Sequence, residues 1–161
     1  MGSRTRSPPW PRSKDRGQTW QNTSSGGWHS TSVQVHPLTQ DVYYQIEGGG
    51  VFVSHDFGNT RSPLGVNQGW ELLIDPTDLN RFFSGASNGS GVRLSMNTGQ
   101  SFRLIGPPNL SGPGVFHVAL NRSGTKLNVS FNGSSNGVYV TDLSAILGAP
   151  NPPASLVVIE R

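Results

Sequence analysis

An eight-residue phrase occurs three times in this chain at a fixed interval, its copies beginning at Ser13, Ser54 and Ser95 and therefore 41 residues apart. They read Ser13-Lys14-Asp15-Arg16-Gly17-Gln18-Thr19-Trp20, Ser54-His55-Asp56-Phe57-Gly58-Asn59-Thr60-Arg61 and Ser95-Met96-Asn97-Thr98-Gly99-Gln100-Ser101-Phe102. Self-similarity at a period of this size marks a repeat architecture, in which each unit buries its apolar face only against its neighbours. The frame is Ser, then Asp or Asn at position three, Gly at five, Thr or Ser at seven and an aromatic at eight, broken only at Arg61.

Turn chemistry explains the frame. Asp15, Asp56 and Asn97 can accept bonds from backbone N–H groups further along and so hold a tight loop. Gly17, Gly58 and Gly99 supply the positive φ that such a loop needs. The hydroxyls of Ser13, Ser54 and Ser95 can bind the same loop, Thr19, Thr60 and Ser101 complete the frame, and Trp20 and Phe102 are placed to bury against a neighbouring repeat. Read instead as catalytic carboxylates or calcium ligands, Asp15 and Asp56 lack the clustered acids and distal Glu of a calcium loop, so neither metal nor cofactor is expected. The phrase resembles the Asp-box, or BNR repeat, of sialidases, xyloglucanases and sortilin-type receptors. That resemblance implies a β-propeller in which each copy caps one hairpin of a blade.

Twenty-one Gly, 12 Pro and 31 Ser plus Thr among 161 residues suit many short strands joined by turns and argue against long helices. The class is therefore all-β. At one blade per repeat the chain holds fewer than four units, whereas closed propellers have about 4–8 blades of four strands, so a partial propeller of about three four-stranded antiparallel blades is expected. Residues 1–12 read as a basic, Pro-rich disordered tail, 13–141 as the blades, and 142–161 as a Pro-rich link and the start of a further strand. Arg4, Arg6, Arg12, Lys14 and Arg16 concentrate positive charge at the start, but without the periodicity or aromatic platform of a nucleic-acid arm. No nucleic-acid partner is expected.

No run reaches the roughly 18 apolar residues of a membrane span, and the first thirty residues lack the apolar core of a secretory signal. Six sequons, at Asn22, Asn88, Asn109, Asn121, Asn128 and Asn132, exceed the two or so expected from composition. They read either as the mark of a secreted, glycosylated relative or as the ordinary vocabulary of tight turns. With no cysteine, disulfides and thiolate chemistry are excluded.

Strands can be named from alternation and punctuation. Val33 to Pro37, Asp41 to Ile46 and Gly50 to Val53 precede the second phrase; Leu72 to Pro76, Asn80 to Gly85 and Gly91 to Leu94 precede the third. A last unit runs through Val115–Leu120, Lys126–Phe131 and Gly137–Val140, after which no phrase follows. Ser155 to Ile159 reads as the opening strand of a further blade. An open stack of this kind is expected to self-associate through its unmatched faces and strand edges, one copy completing another's blade by strand exchange.

The constant period, the His-Pro or Asp-Pro strand ends and the Gly-Gly-Val-Phe run before the second phrase resemble the xyloglucanase-type propellers of glycoside hydrolase family 74; sortilin-type receptors and photosystem assembly factors share the grammar. The resemblance implies an extracellular or secretory protein, a polysaccharide or glycan partner, and one catalytic candidate. Glu47, in Glu47-Gly48-Gly49-Gly50-Val51-Phe52, stands where that family carries a catalytic Asp, with the second carboxylate outside this chain. Its alternative is a solvated residue before a glycine turn. Glu71, beside Trp70, is a comparable candidate. Arg81, Arg93 and Arg103 read as solvated strand residues rather than the arginine clamp of sialidases; His36 matches Asp75 as the residue before a strand-ending proline, His55 occupies a variable position of the phrase, and His29 and His117 have no Cys, His or carboxylate at ligand spacing. Trp10 and Trp28 could stack on sugars, while Trp70 is expected in the core. The combined reading is a carbohydrate-active propeller segment without a complete active site, or alternatively a non-catalytic binding or assembly scaffold.

Overall fold

The computed structural model describes residues 11–22, 30–46, 50–65, 69–85, 91–105, 114–132, 137–148 and 157–158. Glu47, Trp10, Trp28, His29, Asn88, Asn109 and most of the expected N-terminal tail lie outside them. Described are a hairpin of β1 (Pro11–Arg12) and β2 (Gln21–Asn22), then three four-stranded antiparallel sheets. The first holds β3 (Ser30–Val35), β4 (Val42–Ile46), β5 (Gly50–Ser54) and β6 (Ser62–Pro63); the second β7 (Glu71–Ile74), β8 (Phe82–Gly85), β9 (Val92–Ser95) and β10 (Arg103–Leu104). The third holds β11 (Gly114–Leu120), β12 (Lys126–Asn132), β13 (Gly137–Asp142) and β14 (Val157–Val158), with a single turn of helix, α1 (Leu143–Leu147), between the last two. The all-β expectation holds.

Within each sheet strand order follows chain order, so alternate residues of every strand face the preceding or the following sheet. Tyr43, Val51 and Val53 of the first sheet meet Leu72, Ile74 and Phe82 of the second, with Leu64, Leu79 and Phe102 at the margin. Phe83, Val92 and Leu94 of the second meet Val115, Val118, Leu127, Val129, Phe131 and Tyr139 of the third. Tyr43 and Phe82 meet edge to face across the first seam at 4.8 Å, and Phe131 and Tyr139 do so at 5.0 Å on neighbouring strands of the third sheet.

Four expectations change. Pro11 and Arg12, assigned to the tail, form β1. Val157–Val158 does not open another sheet but pairs with Val140 and Tyr139 of β13, closing the third sheet. The strand-exchange route at that end therefore meets an occupied position. Where the third unit lacks the phrase, α1 stands in its place, and Leu143 and Ile146, spaced to share one helical face, are buried in the seam. Trp20 is 63% exposed, its indole Nε1 donating to Gly17 O at 3.1 Å, whereas Phe102 packs at the first seam as expected. Arg61, the exception at position eight, lays its guanidinium 4.7 Å from the centre of the Phe52 ring.

Candidate functional site

Antiparallel order gives the stack two rims. One carries the repeated phrases, between β1 and β2, β5 and β6, and β9 and β10, together with the β3–β4, β7–β8 and β11–β12 turns. The other carries the starts of β3, β7 and β11 and the β4–β5 connection, across which Ile46 pairs with Gly50.

On the phrase rim the three loops share one hydrogen-bond scaffold. The Ser13, Ser54 and Ser95 hydroxyls accept from the N–H of Gly17 (2.6 Å), Gly58 (2.7 Å) and Gly99 (2.9 Å) and donate to Asp15, Asp56 and Asn97. Those three side chains in turn accept the backbone N–H of Thr19 (2.8 Å), Thr60 (2.8 Å) and Ser101 (3.0 Å). The hydroxyls of Thr19 and Thr60 donate to the second carboxylate oxygen, while Asn97, having an amide there, donates to Ser101 Oγ instead. Positive φ occurs at two consecutive positions, Arg16 with Gly17, Phe57 with Gly58 and Thr98 with Gly99, the signature of a tight hairpin turn. The second of each pair is the glycine legible in the sequence; the first was not.

These bonds hold the carboxyls of Asp15 and Asp56 at about 2, against an ordinary 3.8, in Asp15 chiefly through the Thr19 hydroxyl and in Asp56 chiefly through the Thr60 N–H. A carboxyl depressed in the folded chain stabilises it above its unfolded pKa and loses that contribution as pH falls through the folded value. Between pH 3.8 and about 2 the first two loops should loosen, and the third, with Asn97, should not. In an acid titration followed by amide NMR, Thr19 and Thr60 N–H shifts are expected to move with midpoints near 2 while Ser101 stays flat. Midpoints at the ordinary carboxylate value would show that the loop bonds are not made in solution.

Beside the phrases, the strand-connecting turns carry polar pairs of their own. Asp41 meets His55 Nδ1 at 2.7 Å and accepts from the Thr39 hydroxyl at 2.8 Å; burial pushes its pKa up, but these partners outweigh it and the net shift is downward. One repeat on, Arg81 is not a solvated strand residue: it is buried, with its Nε 2.7 Å from the fully buried Asp75. In the third turn Asn121 Oδ1 accepts from Thr125 N and Lys126 N, and Lys126 pairs with Asp142 at 2.8 Å. With Asp78 accepting from Asn80 N at 3.2 Å, all six aspartates of the chain serve this rim in structural bonds.

The opposite rim carries Glu71. At the start of β7 its Oε2 accepts from His117 Nδ1 (2.8 Å) and from the backbone N–H of Val118 (3.2 Å), both on β11 of the next sheet. His117, which has no carboxylate at ligand spacing in the sequence, meets one from 46 residues away. The side chains are 24% and 76% exposed. Beneath them lies Gln45, fully buried on β4; with its amide assigned the orientation that satisfies its neighbours, the nitrogen donates to Glu71 O (3.0 Å) and Ser84 Oγ (3.2 Å) and the oxygen accepts from Gly69 N (3.0 Å). Gly69 is required there, since a Cβ would stand 2.7 Å from both Gln45 Cδ and Gly85 O. The network fixes the backbone that carries Glu71. The 41-residue period contained a partial signal, because residues one repeat apart begin neighbouring first strands; in the same way Ser32 of β3 donates to Leu72 O of β7 at 3.1 Å. Among the described residues no cluster of His, Asp or Glu could hold a metal ion, and no helix is long and apolar enough to cross a membrane.

Neither a protein-family model nor a curated protein sequence matches the chain. Solved structures do. The GH74 enzyme of Niastella koreensis superposes with a TM-score of 0.70 at 19% identity over 84% of this chain, and the GH74 xyloglucanase of Xanthomonas campestris with 0.66 at 16% over 90%. An ancestral GH74 enzyme gives 0.61 at 19% over 79%. The chain spans 24%, 27% and 21% of these enzymes' lengths, respectively. At such identities the likeness is one of fold: the three sheets are arranged like blades of the β-propellers in these enzymes.

Proposed function

We propose that the repeated phrase is an Asp-box and that residues 13–141 are blades of a carbohydrate-active, xyloglucanase-type propeller that meets glycan at the rim bearing Glu71 and does not itself hold a complete active site. The propeller likeness supports the glycan reading. The carboxylate distribution carries the second half: glycoside hydrolysis needs two carboxyls about 6.5–9.5 Å apart for inversion or about 5–5.5 Å for retention. Every aspartate is engaged on the opposite rim, and Glu71 is the one carboxylate among the described residues on this one. Glu47 remains the sequence candidate for a second. The same distribution favours, as the alternative, a non-catalytic binding or assembly scaffold. An extracellular location belongs to this proposal.

Xyloglucan oligosaccharide is expected to bind in calorimetry without release of reducing ends. Turnover of about 1 s⁻¹ or faster, abolished by Glu47→Gln or Glu71→Gln, would show that the active site is complete.

A further inference from the structure

The loop between β1 and β2 differs from the other two phrase loops in what it turns outward. All three share the scaffold made by the first, third, fifth and seventh positions, so their chemistry lies in the positions between. The second phrase carries His55 and Phe57 there and the third Met96 and Thr98, whereas the first carries Lys14 and Arg16, both exposed, with Trp20 63% exposed at its end. Arg12, at the foot of the same hairpin, spends its Nη1 on the carbonyls of Asp56 (3.3 Å) and Phe57 (3.2 Å), which leave its charge standing. Asp15, the one acid in residues 11–22, has both carboxylate oxygens engaged by Ser13 and Thr19, and among the described residues Lys14 and Arg16 form no ion pair. We infer that this hairpin tip binds an acidic polysaccharide, Trp20 stacking on a sugar ring while Lys14 and Arg16 take its carboxylates. That the polyanion is a polysaccharide rests on the glycan reading above; the site itself is separate from the Glu71 rim.

Three physical points lead there. The indole is pinned against its own loop, Nε1 bonded to Gly17 O and Cζ2 3.8 Å from where a Cβ on Gly17 would stand, so stacking forfeits little side-chain freedom. The C–H face of a pyranose is apolar and matches the ring. Three cations against one occupied carboxylate select an anion over a neutral glucan, and the planar guanidinium of Arg16 fits a carboxylate through two parallel bonds.

Calorimetry on the whole chain with an oligogalacturonide, a xyloglucan oligosaccharide and single-stranded oligothymidylate tests this, with the Trp20 indole N–H followed by NMR. The oligogalacturonide is expected to bind, less tightly as salt rises, and to shift that resonance on saturation. Trp20→Ala, and Lys14→Gln combined with Arg16→Asn, should each weaken its affinity about tenfold or more. Met96→Ala, which alters the third phrase at the position of Lys14, should leave it unchanged. All the altered side chains are exposed, and Asn accepts the positive φ of Arg16, so melting temperatures should match the parent. No oligogalacturonide binding at millimolar concentration, or binding indifferent to both variants, would overturn the inference whether or not xyloglucan binds. Oligothymidylate bound as tightly at the same salt would make the tip a nucleic-acid contact and overturn the glycan assignment. Oligogalacturonide binding without xyloglucan binding would remove the reading of the Glu71 rim and leave this one standing.

Discussion

Replacing Asp75 with alanine is expected to destabilise the chain by about 3–5 kcal/mol, because it strands a buried guanidinium. Asp75 is fully buried at the end of β7, where its Oδ1 accepts from the N–H and the hydroxyl of Thr77, both at 2.7 Å, and its Oδ2 faces Arg81 Nε. Asp78, 3.7 Å from Arg81, is too distant and too exposed to take over. The loss belongs to the unpaired cation more than to the pair, so Asp75→Leu combined with Arg81→Met should recover much of it. Urea denaturation of the parent, the single and the double variant decides the matter. A single variant within about 1 kcal/mol of the parent would show that solvent reaches Arg81.

Phe82→Ala should cost a similar amount, about 3–5 kcal/mol, by a different route. Phe82 is fully buried in the seam between the first two sheets, edge-on to Tyr43, and its ring borders the third phrase, where a Cβ on Gly99 would come within 3.3 Å of Phe82 Cδ2. Removing the ring opens a cavity and undermines the loop at once. The amides of Thr98 and Gly99, bonded to Asn80 O and Ser95 Oγ, are expected to exchange faster in the variant than in the parent as global stability falls; a variant that melts early but keeps Gly99 protected would separate the loop from the seam.

What the sequence disclosed follows the range of the interactions. Each phrase is closed by bonds spanning two to four residues, so Ser13, Asp15 and Thr19 and their counterparts announce their partners locally. Strands show through alternation, as in Leu72 and Ile74 facing one seam with Glu71 and Leu73 turned away. The burial of Arg81 and the carboxylate partner of His117 are not legible in the sequence, because they depend on what the neighbouring turn or sheet brings. Trp20 was misjudged because its position promises a seam, and the described residues place no sheet against it. The helix at Leu143–Leu147 is short and lacks a side-chain cap, leaving only the spacing of Leu143 and Ile146 as a clue.

The unbroken match between strand order and chain order has a kinetic meaning. All ladders but that of β13 with β14 close over a short loop, so the entropy lost in finding a partner strand is small for a β protein, and no sheet waits for a segment of another repeat. Sheets can form as units of one repeat and then zip along their apolar seams in either direction. Damage to one seam should therefore leave the sheet beyond it able to assemble, and the chain should lose order in blocks of one blade rather than residue by residue.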